Sequence, residues 1–324
     1  MRSPMTAVAA GALLVITCCG SGCTGERVTV AVDGSSTVFP ITEAMAEEFG
    51  AAHPGVQVTV GVSGTGGGFK KFCIGEKDIN DASRPIKSSE ADKAKDHGID
   101  FIELPVAFDG ISVVVHPEND FVDHLTVEEL NRIWGPDSKI TKWSEVREGW
   151  PDRTIKLYGP GTDSGTFDYF TEVINGESQA CRPDFTASED DNVLVRGVAG
   201  DKDSLGFFGF AYYEENHDKL KVVPIMTATG PVAPTRDSIN DNSYQPLSRP
   251  IFIYVNSKSA QRSEVRDFVT FYLKNAPEYV AKVGYVALPS RVYELAMKRF
   301  EGGVTGSTFS GKSTAGVPLE EFLK

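Results

Sequence analysis

Val28-Thr29-Val30-Ala31-Val32-Asp33-Gly34-Ser35-Ser36-Thr37-Val38-Phe39-Pro40 is the stretch that decides the architecture. Val28, Val30 and Val32 alternate as in a half-buried strand. The polar turn that follows leads into Ile41, Met45 and Phe49, which recur at helical spacing. Two further units repeat the scheme. Val56, Val58, Val60 and Val62 alternate ahead of Ser63-Gly64-Thr65-Gly66-Gly67-Gly68, with a short helix expected to begin near Phe69. Ile155 and Leu157 alternate ahead of Gly159-Pro160-Gly161-Thr162-Asp163-Ser164-Gly165-Thr166, and Phe167, Phe170 and Ile174 continue at helical spacing. Strands alternating with helices predict an α/β fold with mainly parallel sheets, whose ligands lie at the C-terminal ends of strands. Helices are also predicted over 191–198, 261–274 and 290–300, strands over 205–210 and 251–255, and a loop or tail over the Gly/Ser/Thr-rich 302–315.

A chain of 324 residues is long for one simple core, and two α/β lobes are expected. The net charge of −13 repels nucleic acid and leaves no basic stripe for phosphodiesters, so no nucleic-acid partner is expected. At the N-terminus, Arg2, an apolar stretch over 7–16 and small residues up to Cys23 read as an export signal too short to span a membrane. Gly20-Ser21-Gly22-Cys23 looks like a lipobox, with Cys23 the lipidated residue, although the usual Leu three positions earlier is absent; ordinary signal-peptide cleavage is the alternative. Cys73 and Cys181 are then the cysteines of the mature body. In a compartment that permits disulfides they are predicted to pair, against the alternative of two separate buried thiols.

The chemistry lies in the three loops. Stripping water from a compact anion costs on the order of 20 kcal/mol by an idealised Born argument, so many oriented donors must replace it. Helix N-termini supply unpaired N–H groups and a positive dipole end, Ser and Thr add hydroxyls, and Gly lets the backbone approach closely. Each loop alone has a plainer reading: Ser36 and Thr37 as helix caps, 64–68 as a flexible turn, 163–166 as another cap. Their coincidence after three strands points to an oxyanion.

These residues resemble the phosphate-binding proteins of the Pst-type importer. The resemblance covers nearly all of the mature chain. It is carried by 33–40, 63–70, Ala82-Ser83-Arg84-Pro85, Ser164-Gly165-Thr166 and Leu205-Gly206-Phe207-Phe208-Gly209. It implies a two-lobed type II periplasmic binding protein fold with two crossover strands, lobe one built from 28–107 plus 250–324 and lobe two from 108–249. It also implies phosphate contacts from Ser36, Thr37 and the backbone near Val38, from Thr65 and Gly66, and from Ser164, Gly165 and Thr166. The chain departs from the best-known members in having Arg84 where they carry Asp, and Pro160-Gly161-Thr162 where they carry an Arg. Arg84 is therefore expected to supply the guanidinium from the opposite lobe, a surface arginine being the alternative. Phosphate keeps a proton near neutral pH and sulfate does not, so a carboxylate acceptor should touch the ligand; Asp163 is the first choice, Asp33 and Asp109 the substitutes. The expected protein is an exported, periplasmic or lipid-anchored monomer that is not an enzyme and needs no cofactor or metal. It would close on inorganic phosphate and deliver it to the permease of an ABC importer. Another oxyanion (sulfate, molybdate, arsenate), a secreted phosphatase and a sensing module remain the alternatives.

Three motifs suggest other chemistry in the wrong context. Gly306-Ser307-Thr308-Phe309-Ser310-Gly311-Lys312-Ser313 fits a P-loop pattern but follows a predicted helix rather than a strand. Asp163-Ser164-Gly165 has no accompanying histidine motif for a triad. The acidic run over 188–191 reads as a capping box rather than a calcium loop.

Overall fold

The computed structural model describes residues 28–162, 164–188, 190–309 and 319–323. Strand β1 (Val28–Gly34) buries Val30 and Val32 and passes into helix α1 (Phe39–Ala52). Pro40 stands in the first turn of α1, where a missing N–H breaks no helical bond. Strand β2 (Val56–Val62) is a half-exposed edge parallel to β1. Helix α2 (Gly64–Phe72) starts at the glycine run rather than at Phe69. A Cβ on Gly68 would lie 2.0 Å from Asn80 Oδ1 and 2.6 Å from Gly34 Cα, so glycine lets α2 settle against the sheet. Strand β3 (Ile79–Ala82) and helix α3 (Ser88–Asp96) complete this segment.

Strand β4 (Phe101–Val115) is 15 residues long and buried throughout. It leads to helices α4 (Val127–Trp134) and α5 (Trp143–Val146), strand β5 (Lys156–Pro160), helix α6 (Gly165–Asn175), strand β6 (Thr186–Ser188) and helix α7 (Asp191–Gly200). Then come β7 (Ser204–Gly209), α8 (Phe210–Glu215), β8 (Lys221–Val222), the hairpin of β9 (Ile225–Thr227) and β10 (Gly230–Val232), and α9 (Arg236–Asn240). Strand β11 (Ser248–Asn256) returns beside β4. It is followed by α10 (Ser263–Lys282), α11 (Ser290–Glu301) and α12 (Leu319–Leu323). Helix α10 runs past the predicted 274, through Pro277, and buries Ala276 and Val280 on the same face as Tyr272.

The strands form one continuous sheet in the order β2-β1-β3-β11-β4-β7-β5-β6, with β8 also beside β4. Pairs β1–β2, β1–β3, β5–β6 and β5–β7 are parallel, while β4 and β11 run antiparallel to their neighbours. β4 pairs with β11 over Phe101–Gly110 and with β7 over Ile111–Val115. This makes the mixed α/β architecture expected of a two-lobed type II periplasmic binding protein fold, with β4 joining the β2-β1-β3-β11 side of the sheet to the β7-β5-β6 side.

The predicted disulfide is not formed. Cys73 and Cys181 are free thiols. Cys73 ends α2 and donates to the Glu90 carbonyl of α3 at 3.3 Å, while Cys181 lies beyond α6, next to Arg182, whose N–H donates to the Trp134 carbonyl of α4. Burial pushes both thiols up to about 11. Cys23, with the rest of the export segment, falls outside the described residues.

The octapeptide over 306–313 does not open a helix where it is described. Residues 306–309 are strapped onto β4 by the fully buried Glu103. Its carboxylate accepts from Tyr254 Oη at 2.7 Å, Thr308 N at 2.7 Å, Phe309 N at 3.3 Å and the Ser307 hydroxyl.

Candidate anion-binding site

The three loops sit at the C-terminal ends of β1, β2 and β5. In the first, Ser35 organises the turn: its N–H donates to the Asp81 carbonyl at 3.0 Å, its carbonyl accepts Phe39 N at 3.0 Å, and its hydroxyl accepts Thr37 N at 3.2 Å. The Val38 side chain is fully buried in the core, which leaves only its backbone for a ligand. The Val38 N–H has no acceptor among the described residues.

In the third loop Ser164 caps α6, its hydroxyl accepting Thr166 N at 3.2 Å. A Cβ on Gly165 would lie 2.8 Å from Thr37 Cα and 2.9 Å from Thr37 Oγ1, so only glycine lets the tips of α1 and α6 meet across the lobes. The Gly165 N–H also has no acceptor among the described residues. The Ser36 hydroxyl spans the same boundary and donates to Asp168 Oδ2 at 3.4 Å.

Two cavities lie in the cleft beside this contact. One, of about 310 Å³, is lined by Ser36, Thr37, Thr65, Gly66, Arg84 and Arg249. The other, of about 390 Å³, is lined by Ser36, Asp109, Ser164, Gly165, Thr166 and Tyr285 among others. All the predicted contact residues except Val38 and Asp163 therefore line one cleft, and Asp163 lies outside the described residues.

Arg84 does not reach across to the other lobe. Glu90 holds it through two bonds of 2.9 Å each, it donates to its neighbour Pro85's carbonyl at 3.1 Å, and it rests over the Phe69 ring. A guanidinium whose fork is already filled by a carboxylate is part of the cavity wall rather than a clamp on an anion. The Thr65 hydroxyl is likewise engaged, accepting Ser83 N at 3.1 Å and bonding Ser83 Oγ at 3.0 Å.

The arginine between the helix tips is Arg249, which the sequence reading missed. It lies on β11 in register with Asp109 on β4. Its Nη2 is 3.3 Å from Thr37 Oγ1 and 3.4 Å from Asp109 Oδ2, its Nη1 is 3.7 Å from Glu172 of α6, and its guanidinium stacks 3.6 Å from the Tyr169 ring centre. Its buried Nε has no partner among the described residues. The one available signal was a charged residue leading into the apolar run 251–255.

Asp109 is 2% exposed. Burial pushes its carboxyl up despite the Arg249 charge and hydrogen bond beside it. Asp33, the other substitute acceptor, is consumed elsewhere: Lys71 lies at 2.6 Å, Lys77 at 3.8 Å and the Ser63 hydroxyl at 2.7 Å. Burial alone would raise its carboxyl, but the hydrogen bonds from Lys71 and Ser63 and the two lysine charges hold it below the ordinary range. Two amide-bearing helix tips, the Arg249 guanidinium and the buried Asp109 carboxyl group thus converge on one cleft.

Comparison with known proteins agrees with this chemistry. The family model of the PBP superfamily domain matches residues 21–276. Protein SphX of Synechococcus elongatus is 50% identical over 302 residues, 92% of this chain and 89% of that one. The phosphate-binding protein PstS of Staphylococcus saprophyticus is 40% identical over 293 residues, 88% of this chain and 89% of that one. Among solved structures, a possible phosphate binding protein from Planctomyces limnophilus superposes with a TM-score of 0.83 at 50% identity, covering 86% of this chain and 99% of that one. With these similarities spanning most of its length, the chain belongs to the PstS family of phosphate-binding proteins within the PBP superfamily.

Proposed function

We propose that this protein binds inorganic phosphate between its lobes and delivers it to the permease of an ABC importer. The observation that carries the reading is the meeting of α1 and α6 at Thr37 and Gly165, with Arg249 and the buried Asp109 at the same point. Ser36, Thr37, the Val38 amide, Ser164, Gly165, Thr166 and Arg249 would hold the anion. Thr65, Gly66 and the Glu90-paired Arg84 would shape the wall. Asp109 takes the acceptor role first assigned to Asp163. The lobe boundaries expected at 107/108 and 249/250 lie within about three residues of the point where β4 changes partner, between Gly110 and Ile111, and of the register shift of β11 between Ile251 and Phe252, and this nearness supports a hinge in that region.

The export segment and lipid anchor at Cys23 belong to the same proposal, with a monomer held near the membrane that does not hydrolyse its ligand. Among the described residues no helix is long and apolar enough to cross a membrane. The negative net charge supports a partner set without nucleic acid.

Titration with phosphate, sulfate, arsenate and molybdate tests the reading: phosphate should bind at micromolar concentration or below, about −8 kcal/mol or better. Asp109→Asn should narrow the preference for phosphate over sulfate by roughly tenfold or more, because the ligand proton loses a charged acceptor and sulfate loses a repelling charge. A variant with unchanged preference would remove Asp109 from the selectivity mechanism.

A further inference from the structure

Asp81 lies on β3 beneath the tip of α1, and the binding scheme above leaves its side chain without a role. The carboxyl group is 1% exposed, and among the described residues neither oxygen has a well-formed hydrogen bond, the Thr42 hydroxyl being the one donor that acts on it. It follows Asn80 on a strand whose side chains alternate, so it faces away from the Asp33–Lys71 pair and toward α1 and α10.

The groups around it are hydroxyls and like charge. Thr42, in the first turn of α1, bonds Tyr272 of α10 at 3.1 Å. Tyr293 of α11 interacts with Tyr272 in turn. Ile253 is the register neighbour on β11, and Asp33 is the acidic residue on β1, itself bound to Lys71 and Lys77. Among the described residues no lysine, arginine or histidine acts on Asp81.

We propose that Asp81 is a positioning residue that must be protonated for tight phosphate binding. As a neutral acid it leaves the positive end of α1 unopposed. As a carboxylate it sets a negative charge behind the same N–H donors and repels the anion. Burial, partly offset by the Thr42 hydroxyl and reinforced by the Asp33 charge, pushes the group up to about 8. Because phosphate prefers the protonated form, binding takes up a proton, and affinity falls as pH rises through that value. For unit charges about 10 Å apart in a surrounding of effective dielectric near 20, the loss is roughly tenfold.

The inference rests on the phosphate reading, and one experiment separates the two. Calorimetric titration with inorganic phosphate from about pH 7.5 to about pH 9.5, where the free ligand is mostly dianion, would compare wild type with Asp81→Asn. Contributions from Asp109 and the cleft tyrosines are common to both and cancel in the comparison. The wild type should lose roughly tenfold more affinity across this range than the variant. Parallel profiles would overturn this proposal alone, and a wild type that binds no phosphate would overturn both. If Asp81→Asn does not fold, Asp81→Ser takes its place in the same comparison, since it too removes the charge: a profile that falls roughly tenfold less than wild type supports the proposal and a parallel one overturns it.

Discussion

Arg249→Met should weaken phosphate binding by roughly 100-fold or more. Charge-assisted hydrogen bonds to an anion contribute about 1.5–3 kcal/mol each, and the Arg249 fork can make two. The substitution also removes the positive charge beside Asp109, and a carboxyl group already raised by burial then adds repulsion or takes a proton of its own. Arg249→Lys should fall between the two, since it keeps the charge but not the planar fork or the stacking on Tyr169. Calorimetric titration near neutral pH reads the effect, with circular dichroism to confirm that each variant is folded. Binding within threefold of wild type would remove Arg249 from the site.

Glu103→Ala should produce the largest loss of stability away from the cleft. The carboxylate is fully buried and is shared by Tyr254, Ser307, Thr308 and Phe309. Its removal leaves several buried donors unsatisfied and opens a cavity, a combination that costs about 3–5 kcal/mol. Urea unfolding should show a lower midpoint, while phosphate affinity stays within about twofold because Glu103 lies in neither cleft cavity. A variant as stable as wild type would mean that the strap over 306–309 is held by other contacts.

What the sequence made legible was local. The three strand-loop-helix units, and the serines, threonines and glycines at their turns, could be read from periodicity and composition because those signals span a few residues. The early start of α2 could not, since glycines cost about 0.8–1.0 kcal/mol each relative to alanine in a helix. What overrides that cost is the close approach to Asn80 and Gly34, a contact between segments. The two arginines show the same divide. Arg84 stands next to a recognisable motif, yet Glu90, six residues later, occupies it at a spacing that regular secondary structure does not advertise. Arg249 meets Asp109 only because β11 lies beside β4 in one register, which no local pattern encodes. The pairing of Cys73 with Cys181 failed for a related reason: cysteine number and compartment allow a bond, but placement decides it, Cys73 packing against α3 and Cys181 lying beside α4.

The strand β4 that runs unbroken through both lobes has a thermodynamic corollary. Neither lobe owns a complete interior, because one apolar cluster reaches from Val30 through Leu104 and Ile111 to Phe170 and Phe207. Excising either half would therefore strip the remainder of a neighbouring strand and of packing partners. Heat should melt the molecule in a single calorimetric transition, with van't Hoff and measured enthalpies in agreement, and opening of the cleft should be a twist of an intact sheet without partial unfolding.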